Sequence, residues 1–362
     1  MTISQELGNG TLYFQHSIPD IILINTDVDT TVTFELKKGA EVIISEKYVF
    51  DTDGNIRIRN LSEIVEKYFT DSGLLLDFSY TITQGVTTHS SSFSVLKCEA
   101  NVDVIAGPWT QLNFLTRAFM EKRTAKTRNE YLSFLQRITF GAVTVHYKAY
   151  YLVDSVITEK TGVLQTIAAS AVDRVTTFNA SLGVVVTVSG LALSTTFLSY
   201  DIWLTGTDFL TSVYTFLVDN TTYRYSKSFV YINSFGVLET FTATGLTVNK
   251  KTNEFNLGNI ENHYRKITQD FVSEKTCNSG YLSDVEMEWI DDLVKSYSVG
   301  LYTPGVSGMS EEITLVGVEK SDSEANELQA FTFNYRGPKI IHLIFENAAK
   351  GIFDETFDES FE

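Results

Sequence analysis

The chain has 362 residues, of which 43% are hydrophobic and 13% aromatic, so it can bury enough apolar surface to fold and is not a disordered chain. Its length exceeds what one hydrophobic core usually supports, which predicts two or three domains. The formal net charge of −17 argues against free nucleic acid or an anionic membrane as a general partner.

Strands are favoured over helices along most of the chain. Aromatic and β-branched residues are plentiful, and only 4 prolines interrupt the sequence. We therefore expect a mainly β protein with two or three modules of the β-sandwich or barrel-like kind, a few short helices and an extended C-terminal tail.

The N-terminus has neither a basic stretch nor a long apolar one, so we expect no secretory signal. The longest apolar run, residues 182–193, is too short for a membrane-spanning helix, so we expect no membrane insertion. Cys98 and Cys277 are far apart and fit buried thiols in a reduced compartment. These features predict synthesis in a cytoplasm.

Residues 1–100 predict an N-terminal β domain with one helix. Residues 31–37 alternate apolar and polar side chains, which is typical of a half-buried strand. Residues 41–50 predict a second strand, which a turn at residues 51–55 connects to a third strand at residues 56–59. We interpret the second and third strands as a hairpin.

The residues that follow the third strand have the apolar period of a helix. Asn60 is a candidate N-cap with Glu63 three residues later, the pattern of a capping box, and an apolar stripe continues to Phe69. Strands return at residues 74–83 and 90–96, joined by a turn.

Residues 101–137 predict a basic insertion or linker after a domain boundary near residue 100. We interpret this segment as an electrostatic docking surface for an acidic subunit or for passing DNA, and the alternative is a solvated loop. It holds six of the 28 basic residues of the chain: Arg117, Lys122, Arg123, Lys126, Arg128 and Arg137.

Two further β modules are predicted, at residues 138–195 and 196–345. In the first, strands are expected at residues 143–147 and 184–188. In the second, we expect a strand at residues 213–217, a turn, and a strand that contains Tyr223 and Tyr225.

The end of the last module predicts a helix and two strands. Ser283 and Glu286 have the spacing of a capping box at the start of a helix over about residues 284–297. Strands at residues 313–318 and 330–335 complete the module. No repeat of fixed period occurs, which disfavours a solenoid or propeller.

Residues 346–362 predict an acidic, aromatic tail. Six carboxylates against Lys350 give a net charge of −5, and Phe353, Phe357 and Phe361 recur every four residues. We interpret the tail as a peptide that places aromatic anchors in a groove or sheet edge of a neighbouring subunit, near that subunit's basic segment. The alternative is a frayed end.

No motif for catalysis, a cofactor or a metal is present in the sequence. The 5 histidines are more than fifty residues apart, and no phosphate-binding glycine loop or nucleophile elbow occurs. The turn at residues 51–55 resembles the start of a calcium loop, but its glycine comes at the fourth place instead of the sixth. We therefore predict that the chain is not an enzyme and has no cofactor, metal or catalytic residue.

Several segments resemble parts of tail proteins of phages and prophages of Bacteroides-type bacteria. Residues 48–69 resemble a strand–turn–strand–helix segment of these proteins, and residues 229–241 resemble a second segment. The helix around Trp289 and the residues 353–361 are similar to further parts. The resemblance implies a structural role in a virion, within a tail, baseplate or portal-proximal ring, with no cofactor.

The sequence and the resemblance together predict a virion protein that binds other virion proteins and copies of itself, as in a homo-oligomeric ring. One alternative is a receptor- or carbohydrate-binding β protein with aromatic side chains on a sheet. A second alternative is a tail enzyme that cleaves glycans or cell wall, which requires a pair of essential acids.

Overall fold

The computed structural model describes residues 2–25, 30–70, 73–100, 104–118, 120–192, 194–207, 209–260, 263–302, 309–320 and 329–337. Over these residues the protein is mainly β, with 23 strands in five sheets and a few short helices. The prediction of a mainly β fold is confirmed.

The N-terminal part forms two sheets around one core. Their orders are β1-β3-β6 and β2-β8-β7-β4-β5, and apolar side chains such as Phe34, Phe78 and Tyr80 fill the core. The elements are β1 (Thr2–Gln5), β2 (Thr11–Phe14), β3 (Ile21–Ile24), β4 (Thr31–Lys38), β5 (Glu41–Val49), β6 (Asn55–Ile58), α1 (Leu61–Glu66), β7 (Leu75–Gln84) and β8 (Thr87–Leu96), with a 3-10 helix at Gln15–Ser17.

Two local predictions in this part are wrong. β6 pairs with β3 and not with β5, because β5 takes β4 as its hairpin partner. Asn60 does not cap α1: its φ of 62° is left-handed, and its side chain makes no capping hydrogen bond. The turn before β6 is held by Asp51, whose carboxylate accepts from the backbone N–H groups of Asp53 (3.0 Å) and Asn55 (2.7 Å).

The middle of the chain forms a six-stranded sheet of order β12-β11-β14-β16-β9, with β15 paired to β14, and a two-stranded sheet of β10 and β13. The elements are α2 (Ala106–Leu112), β9 (Glu121–Thr124), β10 (Tyr131–Gln136), β11 (Val143–Val153), β12 (Val156–Ile167), β13 (Arg174–Asn179), α3 (Leu182–Ser189), β14 (Thr196–Gly206), β15 (Phe209–Leu210) and β16 (Tyr214–Val218), with a 3-10 helix at Ile138–Phe140.

The predicted boundary at residue 195 falls inside the six-stranded sheet, since β11 pairs with β14 along nine residues. The segment predicted as a linker, residues 101–137, supplies sheet strands as well. Its β9 runs parallel to β16, and its β10 pairs with β13.

The strand predicted at residues 184–188 is wrong, because this stretch belongs to helix α3. Leu182, Val185, Val186 and Ser189 are buried, which is a helical spacing concealed within a continuous apolar run. A short apolar run has no period of its own, so packing decides between helix and strand.

The C-terminal part forms a seven-stranded sheet of order β18-β17-β21-β22-β23-β20-β19. The predicted Ser283–Glu286 capping box and the two late strands are confirmed, but the predicted helix is split in two. The strand predicted around Tyr223 and Tyr225 is wrong, since both residues lie outside strands. The elements are β17 (Lys227–Ile232), β18 (Leu238–Ala243), β19 (Thr247–Ile260), β20 (His263–Leu282), α4 (Asp284–Trp289), α5 (Asp291–Lys295), β21 (Val299–Leu301), β22 (Glu311–Lys320) and β23 (Gln329–Arg336).

An aromatic cluster joins the N-terminal sheets to the rest of the chain. Phe14 of β2 packs edge-on against Trp109 of α2, with ring centroids 5.5 Å apart. Trp109 also stacks on Phe235, at 5.4 Å, in the turn between β17 and β18. This contact brings α2 and the basic segment next to the edge of the seven-stranded sheet.

Candidate functional site

The basic segment turns much of its charge toward the interior of the protein. β9 alternates exposed and buried residues, so neighbouring side chains lie on opposite faces. Lys122 and Thr124 point inward, whereas Arg123 points outward and is 55% exposed. Two residues predicted to share one docking surface are therefore on opposite sides of a strand.

Lys122 forms a buried ion pair with Glu130, which lies just before β10. The ammonium group is 2.9 Å from Glu130 Oε2, and the side chains are only 6% and 2% exposed. Lys122 also donates to Thr240 Oγ1 (2.9 Å), and its ammonium lies 5.1 Å from the centre of the Trp289 ring. Thr240 in turn donates to Glu130 Oε2 at 2.5 Å, and Thr124 donates to Glu130 Oε1 at 2.8 Å.

Glu239, on the inward face of β18, is the second buried carboxylate of this region. It accepts hydrogen bonds from Trp289 Nε1 (2.8 Å), Thr116 Oγ1 (2.7 Å) and Asn233 Nδ2 (2.8 Å). Burial raises the pKa of Glu239, and the positive charge of Lys122 and the hydrogen bonds from Asn233 and Thr116 oppose the rise.

A third buried carboxylate, Asp292 of α5, joins the segment to the turn before β18. It pairs with Arg117 Nη1 at 3.1 Å and accepts from Ser234 Oγ at 2.9 Å. The network thus connects β9, β18 and helices α4 and α5, which are far apart in the sequence. We call the residues Lys122, Glu130, Glu239, Trp289 and Asp292, with their partners, the buried ionic network.

The buried ionic network has the chemistry of an active site. A pocket of about 360 Å³ lies beside its partners Thr116 and Arg117, but the space beside the Lys122–Glu130 ion pair is small. The cleft beside it has a volume of about 60 Å³ and is lined by residues that include Lys122, Glu130 and Trp289. Pockets that bind small molecules usually measure roughly 300–1,000 Å³. With every network carboxylate already hydrogen-bonded, the arrangement is suited to joining sheets and helices.

The remaining predicted basic residues also have partners inside the chain. Lys126 donates to the backbone oxygen of Thr195 at 2.9 Å, and Arg123 lies 3.4 Å from Glu286. Burial lowers the pKa of Arg128, and the nearby carboxylates of Glu130 and Asp219 act in the opposite direction. An anion-docking surface needs uncompensated positive charge, and these internal partners reduce the charge that the basic segment can offer to an acidic subunit.

The predicted aromatic anchors Phe353, Phe357 and Phe361 lie outside the residues that the structure describes. Their docking to a neighbouring subunit stays a prediction. Sequence reasoning did not single out Glu130, Glu239 or Asp292. For Glu239, a signal was available: an acidic residue occurs within the apolar strand pattern of residues 229–241.

A different feature, strand β12, forms an open edge of the six-stranded sheet. It has 12 residues and, within the described part of the chain, pairs only with β11. Val156 (64%), Ile157 (65%) and Val163 (46%) are exposed along it. The hairpin turn before it is tight, with Asp154 and Ser155 at positive φ.

The hairpin of β19 and β20 extends beyond the seven-stranded sheet. β23 pairs with β20 from Glu274 onward, while β19 and β20 continue to pair with each other out to Ile260 and His263. At about 3.3 Å per residue, this ribbon projects about 35 Å. A two-stranded ribbon is marginally stable alone in water.

In the part of the chain that the structure describes, no group of three or more His, Cys, Asp or Glu side chains is arranged to hold a metal. Among the same residues, no helix is long and apolar enough to cross a membrane. Comparison with models of protein families and with curated proteins finds no match to this chain.

Proposed function

We propose that this protein is a structural subunit of a bacteriophage virion, in a tail, baseplate or portal-proximal ring. It acts by binding copies of itself and other virion proteins, without catalysis. The resemblance of residues 48–69 and 229–241 to phage tail proteins supports the virion setting. The observation that carries the binding role is the open edge strand β12.

An open edge strand offers backbone N–H and C=O groups to a further strand, since every second residue of a strand turns both groups away from its existing partner. Soluble proteins usually protect such an edge with outward charges, proline or bulges. β12 contains no proline, and its one irregularity is a bulge at Leu164, so residues 156–163 form a regular edge. Glu159 is engaged with Lys148 at 2.7 Å. Lys160 donates to the backbone oxygen of Ser189 at 2.5 Å, so its charge is directed toward α3.

The exposed aliphatic side chains make the edge of β12 favourable for addition of a strand. Val156, Ile157 and Val163 lie in water when the chain is alone. A neighbouring strand that pairs with β12 would bury part of this apolar surface, at about 25 cal/mol per Å², and supply main-chain hydrogen bonds. The projecting ribbon of β19 and β20 has the length to make a second contact between subunits.

The test is to measure, by light scattering on the full chain, how the molecular mass of the particle depends on protein concentration. Negative-stain imaging then shows the particles. We expect discrete oligomers for the wild-type protein. Ile157→Lys places a charge on the edge and is expected to raise the concentration needed for assembly about tenfold, which corresponds to roughly 1.4 kcal/mol. Repulsion between like charges and loss of apolar burial are the reasons.

Val86→Lys is the matched control, because Val86 is fully exposed in the turn between β7 and β8, away from β12. It should assemble as the wild type does. A wild-type chain that stays monomeric at all concentrations, or an Ile157→Lys chain that assembles normally, would contradict the proposal.

A further inference from the structure

The outer face of the six-stranded sheet carries an arrangement of side chains that the core does not require. Along β11, Val143, Val145, Tyr147 and Ala149 point into the core. The alternate residues of β11 and of its neighbour β14 point to the opposite face, where they are partly exposed: His146, Lys148, Tyr150, Asp201, Trp203 and Thr205.

Two aromatic rings on this face are stacked on each other. His146 and Trp203 are directly opposite each other on β11 and β14, with ring centroids 5.2 Å apart and an angle of 11° between the rings. His146 Nε2 also lies 2.8 Å from Thr205 Oγ1, which holds the imidazole in place. The indole of Trp203 is thereby fixed without being buried in the core.

A third ring is held on the same face by polar contacts. Tyr150 donates to Asp201 Oδ2 at 3.3 Å, and Lys148 lies 5.1 Å from the centre of the Tyr150 ring. Thr215 donates to Asp201 Oδ1 at 2.8 Å. Tyr150 is four residues from His146 on one strand, so their Cα atoms are about 13 Å apart along the sheet.

The charges of this face nearly cancel. Lys148 pairs with Glu159 of β12 at 2.7 Å, and Asp201 of β14 adds one negative charge. Glu121 and Arg123 of β9 lie on the same face and add one charge of each sign. A net charge close to zero gives no attraction for a polyanion such as nucleic acid. The face is also too polar for the core of a protein interface, which is depleted in charged residues.

We propose that the outer face of the six-stranded sheet, centred on Trp203, His146 and Tyr150, binds a neutral glycan chain. Aromatic faces carry partial negative charge and attract the polarised C–H groups on the apolar face of a pyranose ring. Asp201 and Glu159 accept hydrogen bonds from sugar hydroxyl groups, and Lys148 donates to them. The separation between Trp203 and Tyr150 leaves room for a chain of several sugar units along the strands.

This site does not rest on the assembly role, although Glu159, one of its acceptors, belongs to β12. The full chain is run in native gels that contain soluble neutral polysaccharides (dextran, mannan, laminarin, xyloglucan) and in gels that contain polygalacturonate as an acidic polymer. We expect at least one neutral polysaccharide to retard the wild-type protein and polygalacturonate not to do so.

Trp203→Ala should weaken the retardation by tenfold or more, and Tyr150→Ala should weaken it less. Tyr225→Ala is the matched control, because Tyr225 is 46% exposed away from this sheet, and it should behave as the wild type. Circular dichroism checks the fold, and Tyr150→Ala serves as the test if Trp203→Ala does not fold. No retardation by any neutral polysaccharide, equal retardation of both sheet variants and the wild type, or retardation by polygalacturonate alone would overturn the proposal.

Discussion

The buried ionic network and the outer face of the six-stranded sheet are built from the same chemical parts. Each has a lysine whose ammonium lies 5.1 Å from an aromatic ring, Lys122 at Trp289 and Lys148 at Tyr150. Each has a carboxylate that accepts from a threonine hydroxyl group, as in the pair Thr124–Glu130. The same kinds of residue therefore occur in two places with very different surroundings.

Burial separates the two clusters. The Lys122 and Glu130 side chains are 6% and 2% exposed, while those of Lys148 and Glu159 are 30% and 61% exposed. A buried ion pair has lost its hydrating water, so each charge needs a partner within the protein. Removal of one partner leaves the other charge buried and unpaired. At the surface, water and salt screen the pair. We infer that the first cluster holds the fold together and that the second is available to bind.

The largest expected difference in stability is between two variants, each of which lacks the lysine of one cluster. Lys122→Met leaves Glu130 buried without its counter-charge and should lower the free energy of unfolding by about 3–5 kcal/mol. The measurement is urea denaturation followed by circular dichroism. Lys148→Met, the matched surface variant, should leave the urea midpoint almost unchanged. Equal losses for the two variants would remove the distinction between the clusters.

A smaller difference is expected for the two tryptophans. Trp289→Phe keeps an aromatic ring but removes the Nε1–H donor to Glu239, so it should lower the free energy of unfolding by about 1–3 kcal/mol. Trp203→Phe, at the partly exposed position, should change it by about 0.5 kcal/mol or less. Thermal denaturation of the two variants side by side checks this order of stabilities. A larger loss of stability for Trp203→Phe would mean that Trp203, and not Trp289, holds the fold together.

The smallest expected effect is a pH dependence that comes from Glu239. Burial raises the pKa of this carboxyl group above its ordinary 4.5, so the folded chain holds the proton at pH values where the unfolded chain has lost it. The resulting stability is fully present below 4.5 and is lost as the pH rises through the folded pKa. Glu239→Gln removes this titration, so its deficit relative to the wild type should shrink as the pH rises.

Urea denaturation of the wild type and of Glu239→Gln at several pH values from 4 to 8 measures that deficit. A deficit that grows with pH would mean that Lys122 and the three hydrogen-bond donors outweigh burial at Glu239. Glu159→Gln, on the exposed pair with Lys148, is the matched control, and its deficit should change little over the same range.

Features with a local cause were predicted well. The period-2 alternation of residues 31–37 gave β4, and the Ser283–Glu286 spacing gave a real capping box, with the Glu286 amide donating to Ser283 Oγ. The same local reasoning was wrong at Asn60 and at residues 184–188. There, the left-handed backbone of Asn60 and the packing of α3 against the core override the residue pattern.

The candidate sites depend on contacts that no local pattern contains. Lys122 and Thr240 are 118 residues apart, and Arg117 and Asp292 are 175 apart. Composition identified residues 101–137 as basic but could not distinguish the inward Lys122 from the outward Arg123. The pairing of β9 with β16 makes that distinction, because it sets which face of β9 points to the core.

The amino-acid sequence by itself determined that this protein is mainly β and where many of its strands and its late helix lie, because alternation and capping act over a few neighbouring residues. Only the tertiary structure decided which charges are buried, which edge strand is open and which aromatic side chains remain on a surface. Those properties depend on strand order and register, which bring together residues more than a hundred positions apart.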